Sequence, residues 1–237
     1  ETLHKEIDLL LPHLRKDRRI SQIHYGGGSP SSMPLHFIRS INEHLLSAFE
    51  TIDRPEIAIE CHPGYLKEED WHYLLDSGFN RFSLGIQDFN DEVLRCVNRQ
   101  PALLPVETIM RILREGGAKV NFDFIYGLPK QSVSAFVSTI KKAISLRPDR
   151  LVTFSYAHLP SLFKRQMILE KAGLPSQNEK LNMFEEASKT LQAAGYVPIG
   201  MDHFALPDDD LSVALQHHSL HRNFQGYCPR RITAQVY

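Results

Sequence analysis

Apolar residues recur along this chain with two alternating periods. A period of two, rich in β-branched and aromatic side chains, marks residues 20–25, 56–61, 81–87, 119–126 and 150–156, with a weaker sixth run at 196–200. Between these runs the apolar positions return at helical spacing, in residues 35–49, 67–77, 106–115, 133–146 and 178–194. Pro34 suits a first helical turn, and Gly78, Gly116 and Gly195 follow three of the helices where C-caps belong. Strand alternating with helix predicts an α/β fold, with a parallel sheet and right-handed crossovers.

Inside the strands, large and small side chains alternate. Phe82, Leu84 and Ile86 share one face, while Ser83, Gly85 and Gln87 share the other. Val120, Phe122, Phe124 and Tyr126 alternate with Asn121, Asp123 and Ile125. In the fifth run, Thr153 and Ser155 fall on one side and Val152, Phe154 and Tyr156 on the other. Strands buried on both faces read as continuous aliphatics. A polar face left unpaired costs about 1–3 kcal/mol per group, so the small polar side is expected to line a wet or ligand-filled cavity.

Composition narrows the function classes. With a net charge of −1 there is no basic excess for nucleic acid, and no apolar run approaches the span of a membrane. Three cysteines far apart, Cys61, Cys96 and Cys228, argue against a disulfide framework and for a reducing compartment, so a cytoplasmic location is expected. The opening residues are charged and amphipathic and lack the regions of a signal peptide.

Three groups of residues carry candidate chemistry. Tyr25-Gly26-Gly27-Gly28-Ser29-Pro30 follows a strand directly. Its glycines let backbone approach a ligand, or serve plain turn chemistry; neither the dinucleotide nor the phosphate-loop pattern is met. Glu60, Gln87 and Asp123 stand at or near the carboxyl ends of successive strands, where parallel α/β folds bind ligands. Asp202-His203, His217-His218 and His221 offer metal-ligand types without helical ligand spacing, leaving surface or hydrogen-bonded histidines as the plainer reading. Asp208-Asp209-Asp210 reads as a solvated helix start.

Taken in order, Y-G-G-G-S-P, I-E-C-H-P, S-L-G-I-Q-D-F-N, V-N-R, D-F-I-Y-G-L-P-K-Q, Y-A-H-L-P, G-M-D-H-F-A-L-P-D-D-D-L and H-R-N-F-Q-G-Y resemble the oxygen-independent coproporphyrinogen III oxidases, over nearly all of residues 1–227. The resemblance implies a partial parallel (β/α)6 barrel of radical S-adenosylmethionine type over residues 1–195, lacking its first strand, and the start of a C-terminal region over residues 196–237. It implies a [4Fe–4S] cluster on a C-x3-C-x2-C loop, a 5′-deoxyadenosyl radical from S-adenosylmethionine, and oxidative decarboxylation of two propionates of a tetrapyrrole substrate to give protoporphyrinogen IX. Carried over by motif, Gly27 and Glu60 correspond to contacts of the cluster-bound S-adenosylmethionine. Gly28, Ser29, Gln87, Arg99, Asp123 and Ala157 correspond to contacts of a second molecule. Arg222 is a weaker candidate for a substrate propionate. The electron donor is not implied.

The chain departs from that family in three places. The C-x3-C-x2-C segment is absent, so this chain is expected to be inactive alone, with residues 20–25 as an edge strand and marginal stability or self-association as the consequence. His62 stands where the family carries Asp. After Tyr227 the likeness stops. A haem chaperone of the same superfamily and a histidine-based metal hydrolase are the alternatives.

Overall fold

The computed structural model describes residues 1–14, 18–223 and 226–229. Its elements are α1 (Thr2–Leu10), β1 (Ile20–Tyr25), α2 (Leu35–Ala48), β2 (Thr51–Cys61), α3 (Glu68–Asp76), β3 (Arg81–Gln87), α4 (Asp91–Cys96), α5 (Val106–Glu115) and β4 (Lys119–Tyr126). There follow α6 (Val133–Leu146), β5 (Arg150–Ser155), α7 (Met167–Lys171), α8 (Gln177–Ala193), β6 (Val197–Pro198), β7 (His203–Ala205), α9 (Asp210–Gln216), β8 (His221–Arg222) and β9 (Tyr227–Cys228). The strand order is β1-β2-β3-β4-β5-β7-β6, and β8 pairs with β9. The expected α/β class and mostly parallel sheet are therefore observed. No helix among the described residues is long and apolar enough to cross a membrane.

The chain forms two compact units. One comprises Glu1–Gly85 with Pro101–Val120, the other Ile86–Gln100 with Asn121–Tyr237. In the first, β1 and β2 pair in parallel, as do β2 and β3. Ile57, Ile59, Phe82 and Leu84 are buried together with Trp71 and Leu74 of α3 and with Ile109 and Leu113 of α5. The helices form where apolar residues return every three or four positions: Val106, Ile109, Met110 and Leu113 are all buried. In the second unit, β4 and β5 are parallel, whereas β7 runs antiparallel to both β5 and β6. Phe122, Phe124, Phe136, Ile140 and Met183 fill its core. Ser132 caps α6 by accepting from the Ala135 N–H, and Ser176 with Glu179 forms a reciprocal capping box on α8.

Several expectations need correction. The second strand begins at Thr51, not residue 56. Pro55 donates no N–H, so the ladder is irregular there: between the pairs Ile20↔Thr51 and Gln22↔Glu56, β1 advances two residues and β2 five. The sixth run shrinks to Val197–Pro198, and the short partner β7, too brief to show a period, was not legible. The glycine caps are as expected: Gly116 caps α5, with Gly117 after it in left-handed backbone, and Gly78 and Gly195 take left-handed backbone after α3 and α8.

The fifth strand also reverses the assignment of faces. In register, Asp123 lies beside Val152 and Ile125 beside Phe154, whereas Phe124 lies beside Thr153 and Tyr126 beside Ser155. Thr153 and Ser155 thus share the side of the phenylalanines. Thr153 is buried, with its N–H donating to Asp202 O at 2.9 Å, and Phe154 is exposed edge-on to His203. Alternation fixes parity within one strand; only the register with its neighbour decides which parity faces which way.

The aspartate run at the start of α9 is not uniformly solvated. Asp209 is 2% exposed; it caps the helix through the Leu211 N–H and pairs with Arg150 Nε at 2.8 Å. Removing one partner of a buried pair leaves the other charge uncompensated. Asp209→Ala is therefore expected to cost about 3–5 kcal/mol in urea unfolding at neutral pH, with a loss below about 1 kcal/mol contradicting the account.

Candidate functional site

In the first unit, residues in register on neighbouring strands share a face, so Gln22, His24, Glu56, Ala58, Glu60, Arg81 and Ser83 lie on one side. Toward the strand starts this side is closed by its own polar pairs. Gln22 Nε2 donates to Glu56 Oε1, and Arg81 Nε donates to Glu56 Oε2. Toward the carboxyl ends, His24 Nε2 lies 3.1 Å from Glu60 Oε1, and the Glu60 side chain keeps 42% of its surface exposed. The polar face thus ends in a carboxylate held from one side and open on another.

The triple-glycine bend sits against that carboxylate. A Cβ on Gly26 would stand 2.7 Å from Glu60 Oε1 and 2.8 Å from His24 Nε2. Gly27 has φ +95° with nothing within 4 Å of a Cβ, so its need for glycine is conformational and the space before it is open. Gly28 is equally open. The following turn is pinned, because Ser32 donates to Ser29 O through N–H and hydroxyl, and the His62 N–H donates to Ser31 Oγ at 2.9 Å. The bend is thus seated on Glu60 at Gly26, and Gly27, Gly28 and Ser29 follow it directly in the chain. His62 itself is turned inward: its Nδ1 accepts from the Gly64 N–H at 3.0 Å and its ring stacks on Tyr65.

In the second unit, Gln87 ends β3, Asp123 lies within β4 and Ala157 follows β5. Gln87 ends β3 with φ +65°, a conformation that costs a residue with a side chain about 1–3 kcal/mol. Among the described residues its buried Oε1 meets no hydrogen-bond partner, at a desolvation cost of about 1–3 kcal/mol. The next residue, Asp88, is bound by Gln131, whose Nε2 also donates to Ile125 O near the end of β4. Asp123 Oδ1 accepts from Asn121 Nδ2 at 2.8 Å on the same strand. The Tyr156 N–H donates to Tyr126 O, which sets the chain of Ala157 beside the end of β4, and Ala157 O accepts from Gln166 Nε2. Arg99 follows α4, its N–H donating to Leu94 O. Arg222 lies on β8 over the Tyr227 ring. Asp88, Gln131 and His24 were missed by sequence reasoning. Asp88 and Gln131 lay inside the quoted motifs, and only their buried bond distinguishes them.

The histidines do not assemble a metal site. His203 Nδ1 bonds Asp202 Oδ1 at 2.6 Å and its ring packs against Phe154 and Tyr227. His217 caps α9 and His218 follows in left-handed backbone. Among the described residues, no group of three or more His, Cys, Asp or Glu is placed to hold a metal ion.

The sequence matches the model of the Radical SAM superfamily over residues 3–143, more than half of the chain. It is 43% identical over 228 residues to the oxygen-independent coproporphyrinogen III oxidase of Salmonella typhimurium, covering 96% of this chain and 50% of that protein. Against the enzyme of the same name from Escherichia coli K12 the identity is 44% over 211 residues, covering 89% of this chain and 46% of that one. The solved structure of coproporphyrinogen III oxidase (HemN) from Escherichia coli, described as a radical SAM enzyme, superposes with a TM-score of 0.90 at 42% identity, over 96% of this chain and 52% of that one. An archaeal Elp3 from Methanocaldococcus infernus, at 16% identity and TM-score 0.56, shares the fold alone. The chain spans about half the length of the curated relatives it matches.

Two of the three cysteines are withdrawn from solvent. Cys61 is 3% exposed and Cys228 4% exposed. Burial, and secondarily the charge of Glu60, pushes the Cys61 thiol far above its ordinary range, so it is not a thiolate at neutral pH. Ellman's reagent on the folded chain at pH 8 is expected to label Cys96 first and Cys61 only on unfolding. Fast labelling of Cys61 in a Cys96→Ser variant would contradict this.

Proposed function

This chain belongs to the radical SAM superfamily, and from that premise we propose that it acts in the oxygen-independent oxidation of coproporphyrinogen III to protoporphyrinogen IX. The reaction is a radical S-adenosylmethionine-dependent oxidative decarboxylation, in which two propionate side chains of the tetrapyrrole become vinyl groups. Support comes from relatives of that name at above 40% identity across nearly the whole chain. The observation that carries the reading is Gln87 Oε1, a buried and unpartnered acceptor in strained backbone at a strand's carboxyl end. A group so costly fits an incoming hydrogen-bond donor.

The residues present fit S-adenosylmethionine. Bound there and given one electron by a reduced [4Fe–4S] cluster, it would supply the radical that abstracts hydrogen. Gly27 offers backbone without side-chain obstruction, and Glu60, steadied by His24, offers a carboxylate to an ammonium or ribose hydroxyl of one molecule. Gln87, Arg99, Asp123 and Ala157 serve a second molecule. Arg222 is offered to a substrate propionate.

The [4Fe–4S] cluster is another matter. Such clusters need clustered thiolates. Cys61 and Cys228 are buried, the three cysteines lack C-x3-C-x2-C spacing, and no metal-holding group occurs among the described residues. This chain's own donors do not make up the cluster site.

The full open reading frame that encodes this chain, expressed in a host without coproporphyrinogen oxidases, is expected to restore protoporphyrin formation without oxygen. Glu60→Gln and Gln87→Leu are each expected to raise KM for S-adenosylmethionine about tenfold, the loss of one charge-assisted or buried hydrogen bond. Tight one-to-one haem uptake with no turnover would replace this reading with that of a haem chaperone.

A further inference from the structure

The turn that presents Gln87 does not hold itself. The Asp88 N–H donates to Ile86 O at 2.8 Å, closing a three-residue turn around Gln87 at φ +65°, the strained hand of the γ-turn. The restraint comes from the next side chain. Asp88 is 3% exposed, and its carboxylate accepts from Gln131 Nε2 at 2.7 Å, from Thr139 Oγ1 at 2.6 Å and from the Asn90 N–H at 2.9 Å. Gln131 is held in turn, since its Oε1 accepts from the Leu128 N–H and its Nε2 also donates to Ile125 O. Each of these donors is neutral, and together they tie the γ-turn to the loop after β4 and to α6.

We propose that Asp88 and Gln131 are positioning residues for S-adenosylmethionine: their buried hydrogen bond fixes the γ-turn, so that Gln87 Oε1 is presented as a preformed acceptor for a donor of the nucleoside. The proposal rests on the reading of Gln87 given above. It assigns the pair an action through Gln87 and no contact with the ligand. Asp88→Asn sets an amide N–H₂ against the Gln131 amide and releases the turn, whereas Thr139→Val removes one donor and leaves the Gln131 bond in place.

The test is calorimetric titration of S-adenosylmethionine into the full-length protein, unreduced, with melting temperatures taken alongside. Asp88→Asn, or Gln131→Leu should Asp88→Asn fail to fold, is expected to weaken binding about tenfold, the worth of a well-placed buried hydrogen bond. In a Gln87→Leu background the same substitution is expected to change affinity less than about twofold, because a residue acting through another shows no further effect once that one is gone. Asp88→Asn with Gln131→Glu, which reverses donor and acceptor, is expected to recover part of the affinity. Thr139→Val is expected to lower the melting temperature with affinity held. An equal loss in both backgrounds, or losses that track melting temperature in all variants, overturns the positioning role alone. Binding untouched by Gln87→Leu overturns it together with the role of Gln87, and no binding by the unsubstituted protein overturns the proposed function itself.

Discussion

A polar side chain taken out of water must find a partner, and the polar side of these strands is arranged by that demand. Near the strand starts the groups satisfy one another, as Gln22, Glu56 and Arg81 do. Toward the carboxyl ends the pairing becomes incomplete. Glu60 bonds His24 through one oxygen and stays half-exposed, and among the described residues the buried Gln87 carbonyl meets no donor. An unpaired buried acceptor costs more than an average hydrogen bond contributes, which is the ground of the role proposed for Gln87.

The backbone follows the same logic. Gly26 must lack a side chain because the His24–Glu60 pair occupies the place a Cβ would take. Gly27 must lack one because of its φ, and the space beyond it is open. A single bend thereby serves packing in one residue and access in the next. At Gln87 the strained conformation is borne by a residue with a side chain, and the residue after it, Asp88, is bonded to Gln131 and Thr139.

Substitutions away from the family pattern are absorbed by this packing. His62, which departs from the expected family pattern, closes its own turn by accepting from the Gly64 N–H and stacks on Tyr65. The G-M-D-H-F motif serves the C-terminal residues in the same manner. A Cβ on Gly200 would collide with Tyr227, and Asp202 orients His203, whose ring meets Tyr227 edge-on. Histidines that resemble ligands on paper are thus used as packing and hydrogen-bonding groups.

What the chain determined by itself is the alternation of strand and helix, because period is a local property. The bounds of β1, β3, β4, α5 and α6 follow from it, as does the parity of side chains within each strand. The motif order also made the family legible. Tertiary structure decided whatever depends on a neighbour. The register of β4 against β5 turned Thr153 inward and Phe154 outward. Pro55 became a bulge inside a longer strand, and Asp209 became the buried partner of Arg150. Asp88 and Gln131 are separated by 43 positions, and no period or spacing connects them. A hydrogen bond across that separation exists only once the sheet has brought the strand ends together, so its importance could be seen only in the folded chain.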